Sequence, residues 1–87
     1  MPGRKEVLLT QPALKAFGAI PKIFQNAIKE ALGDLADDAF LGKPLKPPFN
    51  DRRSYRLSDY RITYRFDKTT ITVISIQHRK DVYRLGR

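Results

Sequence analysis

The sequence contains no cysteine and only one histidine, His78. Without cysteine the chain cannot form a disulfide, a thiolate metal site or a thiol nucleophile. A single histidine excludes sites that need two histidines from one chain, such as the HExxH zinc motif. No apolar run approaches the roughly 18 residues of a membrane span, and the stretch before Pro12 lacks the apolar core of a signal peptide. We therefore expect a cytoplasmic protein that does not bind membranes.

The charge is unequal between the two halves of the chain. Residues 1–42 carry five basic and five acidic side chains, whereas residues 43–87 carry twelve basic and four acidic ones. The net charge of +8 therefore lies entirely in the second half. Such asymmetry favours a polyanionic partner, nucleic acid before membrane, and the alternative is a basic surface that only keeps the protein soluble.

The length and composition are those of one folded domain. The chain has 87 residues, of which 41% are hydrophobic and 30% charged, and disordered chains are poorer in apolar residues. We expect a single domain over residues 1–87. Its first element is a short strand over residues 5–10, where an apolar run precedes Gln11 and Pro12.

Two helices are predicted to follow this strand. Pro12 suits the first turn of a short helix that has Thr10 or Gln11 near its cap and closes at Gly18. A longer helix over residues 21–40 carries apolar side chains at spacings of three and four. Because the connection between the helices is short, we expect them to form an antiparallel hairpin.

The basic half of the chain predicts an antiparallel meander of three strands. Residues 41–51 contain three prolines and are expected to form an irregular connector, because proline removes the amide donor of regular structure. Strands follow over residues 52–57, 60–66 and 69–77, with tight turns between them. The predicted fold class is therefore α+β, in the order β-α-α-β-β-β, with one small sheet.

Alternation along the middle strand of the meander separates two faces. Tyr60, Ile62 and Tyr64 fall on one face, and Arg61 and Arg65 fall on the other. If the helices cover the apolar face, the arginines project from the opposite face of the sheet. Arginine suits phosphate recognition because its planar fork donates two parallel hydrogen bonds.

Several further residues are candidates for contact with RNA. Cations converging on one face would bind an RNA backbone or a transition state of phosphoryl transfer, and the alternative is a solvated basic surface. His78 is either a hydrogen-bonded residue at a strand end or a general acid or base. Tyr83 either packs its ring on apolar surface or presents its hydroxyl to the scissile phosphate. The candidate RNA-binding residues are Lys43, Lys46, Arg53, Arg56, Arg65 and Arg84.

Three stretches of the sequence resemble a known toxin family. They are KPLK at residues 43–46, RSYRLSDYRITYR at residues 53–65 and IQHRKDVYR at residues 76–84. Together they resemble the RelE branch of the RelE/ParE toxin superfamily, and the predicted order of elements is similar as well. The resemblance implies a small α+β toxin of a type II toxin–antitoxin pair. RelE-like toxins cut mRNA in the ribosomal A site, use the RNA 2′-hydroxyl as the nucleophile and need neither metal nor cofactor.

The same resemblance implies roles for individual residues. Arg61 and Arg79 match arginines that bind phosphate and stabilise the transition state, and Tyr83 matches a tail tyrosine that stacks on the RNA or orients it. Arg56 takes a position where some members have a catalytic lysine. Because arginine is a poor general base, the base is left open between His78 and water. The implied catalytic set is Arg61, Arg79, Tyr83 and His78.

The resemblance also implies two partners and leaves two alternatives. The partners are mRNA in the ribosomal A site and a cognate antitoxin whose acidic or amphipathic segment covers the basic surface. One alternative is the ParE branch, which shares this fold and inhibits DNA gyrase. The other is a noncatalytic domain that binds RNA or the ribosome.

Overall fold

The computed structural model describes residues 4–80 and shows an α+β fold with one five-stranded sheet. The strands are ordered β1-β5-β4-β3-β2, with β1 parallel to β5 and the other neighbours antiparallel. The predicted α+β class and the succession of strand, two helices and meander are confirmed. The elements are β1 Glu6–Leu9, α1 Gln11–Gly18, α2 Lys22–Asp37, β2 Lys43–Pro44, β3 Arg53–Leu57, β4 Tyr60–Phe66 and β5 Thr70–His78.

The expectation of a wholly irregular connector is wrong. Lys43 and Pro44 form the short strand β2, opposite Ser54 and Arg53 on β3. Proline is compatible with this position because an edge strand forms ladder hydrogen bonds on one side only. The meander is thereby extended at one edge, and β1 extends it at the other.

Thr10 ties the start of α1 to the sheet. Its hydroxyl oxygen accepts a hydrogen bond from the Ala13 N–H at 3.3 Å, which caps the helix. The same hydroxyl donates to the Ile74 carbonyl at 2.8 Å. The Thr10 backbone N–H donates to the Val73 carbonyl at 3.0 Å. The beginning of α1 is therefore fixed against the middle of β5.

The long helix ends three residues before the predicted limit. The backbone of Asp38 is extended, with a φ of −145°, and its carboxylate accepts a hydrogen bond from the Phe40 N–H at 3.1 Å. Aspartate favours such local turns because its side chain competes with the helical hydrogen bonds of the backbone. Ala39, which follows, is nevertheless buried and belongs to the core.

Both helices pack against one face of the sheet. Neither α1 nor α2, the helices of residues 4–80, combines the length and the hydrophobicity of a membrane-spanning helix. The opposite face of the sheet carries Arg61 and Arg65, and both are exposed. The predicted separation of two faces on β4 is therefore confirmed. The core contains Ala13, Ile28, Ala31, Leu32 and Leu35 from the helices and Ile62, Tyr64, Ile71, Val73 and Ile76 from the strands.

Candidate nucleic-acid interface

The register of the strands arranges mostly polar side chains in rows on the face that the helices do not cover. Residues directly opposite on neighbouring strands share a face, and neighbouring strands lie about 4.8 Å apart. We call the residues of these rows the open face. They are Arg56, Arg61 and Gln77 in the first row, Lys43, Ser54, Thr63 and Ser75 in the second, Arg65, Thr72 and Leu8 in the third, and Thr70 and Glu6 in the fourth.

The open face is basic and its charges are not neutralised locally. Lys43, Arg56, Arg61 and Arg65 are all exposed. The two ion pairs found among residues 4–80 lie elsewhere, one at α2 and one in the connector before β3. Hydroxyl groups and one amide lie between the cations. A surface of this kind attracts phosphate groups and can hold them by hydrogen bonds as well as by charge.

A bulge in β5 determines which of its side chains reach the open face. Thr63 lies opposite Ser75, but the next residue of β4, Tyr64, lies opposite Val73. Ile74 is therefore an extra residue with no partner on β4. An extra residue of this kind reverses the alternation of side chains between the two faces of the strand.

Gln77 and His78 consequently lie on opposite faces of the sheet. Gln77 lies opposite the exposed Arg61 and belongs to the open face, whereas His78 lies opposite the buried Tyr60. Ile76, between the bulge and Gln77, is buried against the helices. The plane of the sheet therefore separates His78 from Arg61, although the sequence places both in one candidate catalytic set.

His78 instead contacts groups on the helix side. Its ring meets the ring of Tyr60 edge-on, with 5.0 Å between the centroids. Its Nδ1 accepts a hydrogen bond from the Lys80 backbone N–H at 3.0 Å. The imidazole also lines a cavity of about 290 Å³ whose other walls include Ala16 and Ile20. These contacts show that His78 packs at the edge of the core, on the helix side of the sheet.

Arg53 also lies away from the open face. It is opposite Tyr64, on the helix side of the sheet. Its Nε donates to the Gly42 carbonyl at 2.8 Å and its Nη2 donates to the Phe40 carbonyl at 3.3 Å. The guanidinium carbon lies 5.2 Å from the centroid of the Phe40 ring. Arg53 therefore holds the segment between α2 and β2, and two of its N–H groups are used there.

Arg79 lies at the same end of the sheet as the first row of the open face. Its backbone N–H donates to the Asp59 carbonyl at 2.7 Å, which holds residue 79 beside the turn between β3 and β4. Lys46 is exposed in the connector. Tyr83 and Arg84, predicted from the tail, lie outside the described residues. Within residues 4–80 no three His, Asp or Glu side chains are grouped so that they could hold a metal ion.

Tyr64 fixes the strand that carries Lys43. Its side chain is fully buried, and its hydroxyl donates to the Ala39 carbonyl at 2.7 Å and accepts from the Gly42 N–H at 2.9 Å. Burial raises the pKa of the Tyr64 hydroxyl above its ordinary value, so the group keeps the proton that it donates. A side chain at Gly42 would come within 2.6 Å of this hydroxyl. Gly42 thus permits the close contact that positions β2.

Two features of the open face are not predicted from the sequence. Gln77 is one, and the row of hydroxyls at Ser54, Thr63 and Ser75 is the other. The short turn after β3 fixes the pairing of β3 with β4, so the positions of Ser54 and Thr63 follow from the sequence once that turn is recognised. Those of Ser75 and Gln77 depend on the bulge, for which the sequence carries no clear signal.

Comparison with known proteins places the chain in a family of small toxins. The sequence profile of the family described as ParE toxin of type II toxin-antitoxin system, parDE, matches residues 7–83. The chain is 36% identical over 67 residues to Toxin RelG of Mycobacterium tuberculosis. The aligned region covers 74% of this chain and 77% of that protein.

Solved structures agree with this assignment. A chain of the toxin–antitoxin complex RelBE2 from Mycobacterium tuberculosis superposes with a TM-score of 0.80 at 31% identity, over 88% of this chain and all of that one. The isolated RelE toxin of E. coli has the same fold, with a TM-score of 0.74 at 22% identity over 94% of each chain. The protein belongs to the RelE/ParE superfamily of type II toxin–antitoxin toxins.

Proposed function

We propose that this toxin is a ribosome-dependent mRNA endoribonuclease that inhibits translation, and that its open face holds the scissile phosphate. The observation that supports this most directly is the first row of that face. Arg56 and Arg61 lie opposite each other on β3 and β4, both exposed, and the backbone of Arg79 is held at the same end of the sheet. Three arginines at one end of a sheet suit a group that gains negative charge during reaction.

The proposed reaction uses the RNA itself as the nucleophile. The 2′-oxygen forms a bond to the adjacent phosphorus and the bond from phosphorus to the 5′-oxygen breaks, which leaves a cyclic phosphate and a free 5′-hydroxyl. One proton leaves the 2′-hydroxyl and one reaches the departing oxygen. Arg61 and Arg79 would stabilise the negative charge that accumulates on the other phosphate oxygens. Tyr83 would orient the RNA, as the family resemblance implies.

The composition of the open face explains why such an enzyme would need the ribosome. Within residues 4–80 the first two rows of this face offer cations, hydroxyls and one amide, and His78 lies on the other side of the sheet. Arginine keeps its charge and is a poor proton acceptor. The site therefore contributes mainly charge and position, and a ribosome that holds the mRNA with its 2′-hydroxyl aligned would supply the remaining orientation.

The other predicted RNA contacts divide according to their place in the fold. Lys43 and Arg65 lie on the open face and are proposed to bind phosphates on either side of the scissile one. Lys46 in the connector and Arg84 in the tail are proposed to extend this track. Arg53 and His78 receive no direct role in RNA binding, because Arg53 is hydrogen-bonded on the helix side and His78 packs against Tyr60.

A cognate antitoxin is the second proposed partner. Related toxins from Mycobacterium tuberculosis, E. coli and Methanococcus jannaschii are known in complexes with antitoxins. The cations of the open face lack ion-pair partners within the described residues. An acidic antitoxin segment that lies across this face would therefore neutralise these cations and its own carboxylates. Such an antitoxin would compete directly with mRNA.

The test is to induce the chain without its antitoxin and map the ends of cellular mRNA. We expect growth arrest and cuts at discrete positions within translated codons. Arg61→Ala or Arg79→Ala should reduce cleavage about 100-fold or more, as removal of one transition-state donor does in other enzymes. Lys29→Ala, on the exposed side of α2, is the matched control and should leave cleavage unchanged. Growth arrest that persists in both arginine variants without mRNA cuts would refute the proposal.

Inhibition of DNA gyrase is the second candidate, because the matching family profile bears the ParE description. It predicts damage to DNA that depends on gyrase and leaves mRNA ends unchanged. Purified gyrase and relaxed plasmid, mixed with ATP and the toxin, would show inhibited supercoiling in this case. The nuclease proposal predicts that supercoiling proceeds normally in the same mixture.

A further inference from the structure

We propose that Gln77 contacts the nucleobase next to the scissile phosphate and makes the toxin favour adenine there. This inference rests on the proposed nuclease function and specifies the substrate of the same open face. It assigns Gln77 a role in specificity and none in the chemical step.

The position of Gln77 is unusual on a surface dominated by cations. It lies in the first row of the open face, directly opposite Arg61, because the bulge at Ile74 turns it away from the helices. The side chain is half-buried. Among residues 4–80 its amide forms no hydrogen bond. The Gln77 amide, whose donors and acceptor are unused, therefore lies one strand away from Arg61, which is proposed to bind the phosphate.

The chemistry of an amide differs from that of its neighbours in this row. Arg56 and Arg61 only donate hydrogen bonds, which matches phosphate oxygens that only accept them. The Gln77 amide both donates and accepts, so a phosphate would use only half of it. Base edges carry donors and acceptors side by side, and glutamine pairs with adenine by accepting from N6 and donating to N7. In single-stranded RNA these edges are accessible.

The spacing of the sheet brings the two groups within reach of one nucleotide. Neighbouring strands lie about 4.8 Å apart, so Arg61 and Gln77 are separated by one such step across the face. A nucleotide whose phosphate is bound by Arg61 can then place its base, or that of its neighbour, beside Gln77. Arg56 lies on the far side of Arg61 and would continue the contact along the backbone.

The experiment compares the bases at mapped cleavage sites for three variants of the whole toxin. For the unaltered chain we expect adenine to be enriched at one position next to the cut. Gln77→Ala should reduce that enrichment about tenfold, the size of one good bidentate contact, while total cleavage falls only a few-fold. Gln77→Glu should favour cytosine instead, because a carboxylate accepts from the cytosine amino group.

Asn26→Ala is the matched control, since it removes an exposed amide from α2 on the other side of the molecule. It should leave the base distribution unchanged. If cleavage continues in all variants with one unaltered base distribution, the inference about Gln77 is wrong and the nuclease proposal stands. If the unaltered chain cuts no mRNA, both fail together.

Discussion

Replacement of Tyr64 by phenylalanine tests how β2 and Lys43 are held in place. The phenol is fully buried, and its hydroxyl links the Ala39 carbonyl to the Gly42 N–H through hydrogen bonds of 2.7 and 2.9 Å. Phenylalanine keeps the ring and removes only the oxygen. The change therefore isolates the two hydrogen bonds from the packing of the aromatic side chain.

The expected loss of stability follows from the two buried groups that Tyr64→Phe leaves without a partner, the Ala39 carbonyl and the Gly42 N–H. Each buried polar group left without a partner costs about 1–3 kcal/mol, and the absence of a buried hydroxyl offsets part of this cost. We expect the free energy of unfolding to fall by about 2 kcal/mol in Tyr64→Phe. In a domain of this size 1 kcal/mol corresponds to roughly 4–8 °C, so the Tm should fall by roughly 10 °C.

Urea unfolding followed by circular dichroism measures this difference. Tyr55→Phe is the matched control, because Tyr55 is half-buried on β3 and its hydroxyl forms no hydrogen bond within residues 4–80. Its free energy of unfolding should change by less than about 0.5 kcal/mol, as for substitutions that remove no specific interaction. Equal stability of the Tyr64 and Tyr55 variants would refute the argument that this hydroxyl fixes β2.

Two further predictions concern Gly42 and Asp67. Gly42→Ala should lower the free energy of unfolding by about 1–3 kcal/mol in urea titrations. The added Cβ would lie 2.6 Å from the Tyr64 hydroxyl and 3.0 Å from the Ser54 carbonyl. Gly18→Ala is the control and should be nearly neutral, because its Cβ would meet no atom within 4 Å. Hydrogen bonds from the backbone of Thr69 and then Thr70 lower the pKa of Asp67, so its carboxylate stabilises the fold above about pH 4 and this contribution is lost as the pH falls further. Relative to Asp67→Asn, the unaltered protein should lose stability on acidification in unfolding curves from pH 6 to pH 2, and a difference that does not vary with pH would contradict this.

The sequence predicts the elements well where one face of an element is buried. Buried Tyr60, Ile62 and Tyr64 alternate with polar side chains along β4, and burial of one face fixes both the strand and its orientation. The turn at Ser58, where φ is 55°, then sets the register of β3. Arg56 and Arg61 are consequently placed opposite each other by local information alone.

The surroundings of Arg53 could not be predicted in the same way. Alternation along β3 places Arg53 on the opposite face from Arg56, but it does not show which groups the Arg53 side chain contacts there. Two of its N–H groups donate to the carbonyls of Gly42 and Phe40, which reach it only because the chain returns along the edge of the sheet. That return depends on the contact of Gly42 with Tyr64, 22 residues away in sequence.

The bulge at Ile74 has the largest consequence for the proposed function. If β5 alternated without interruption from Val73, its parity would turn Gln77 toward the helices and His78 toward the open face. The extra residue exchanges the two, and Thr10 holds it there by donating to the Ile74 carbonyl. The side chain beside Arg61 is therefore the amide of Gln77 and not a histidine, the residue type that commonly exchanges protons near neutral pH. A nuclease built on this face would depend on charge and alignment, with Gln77 available to recognise the substrate.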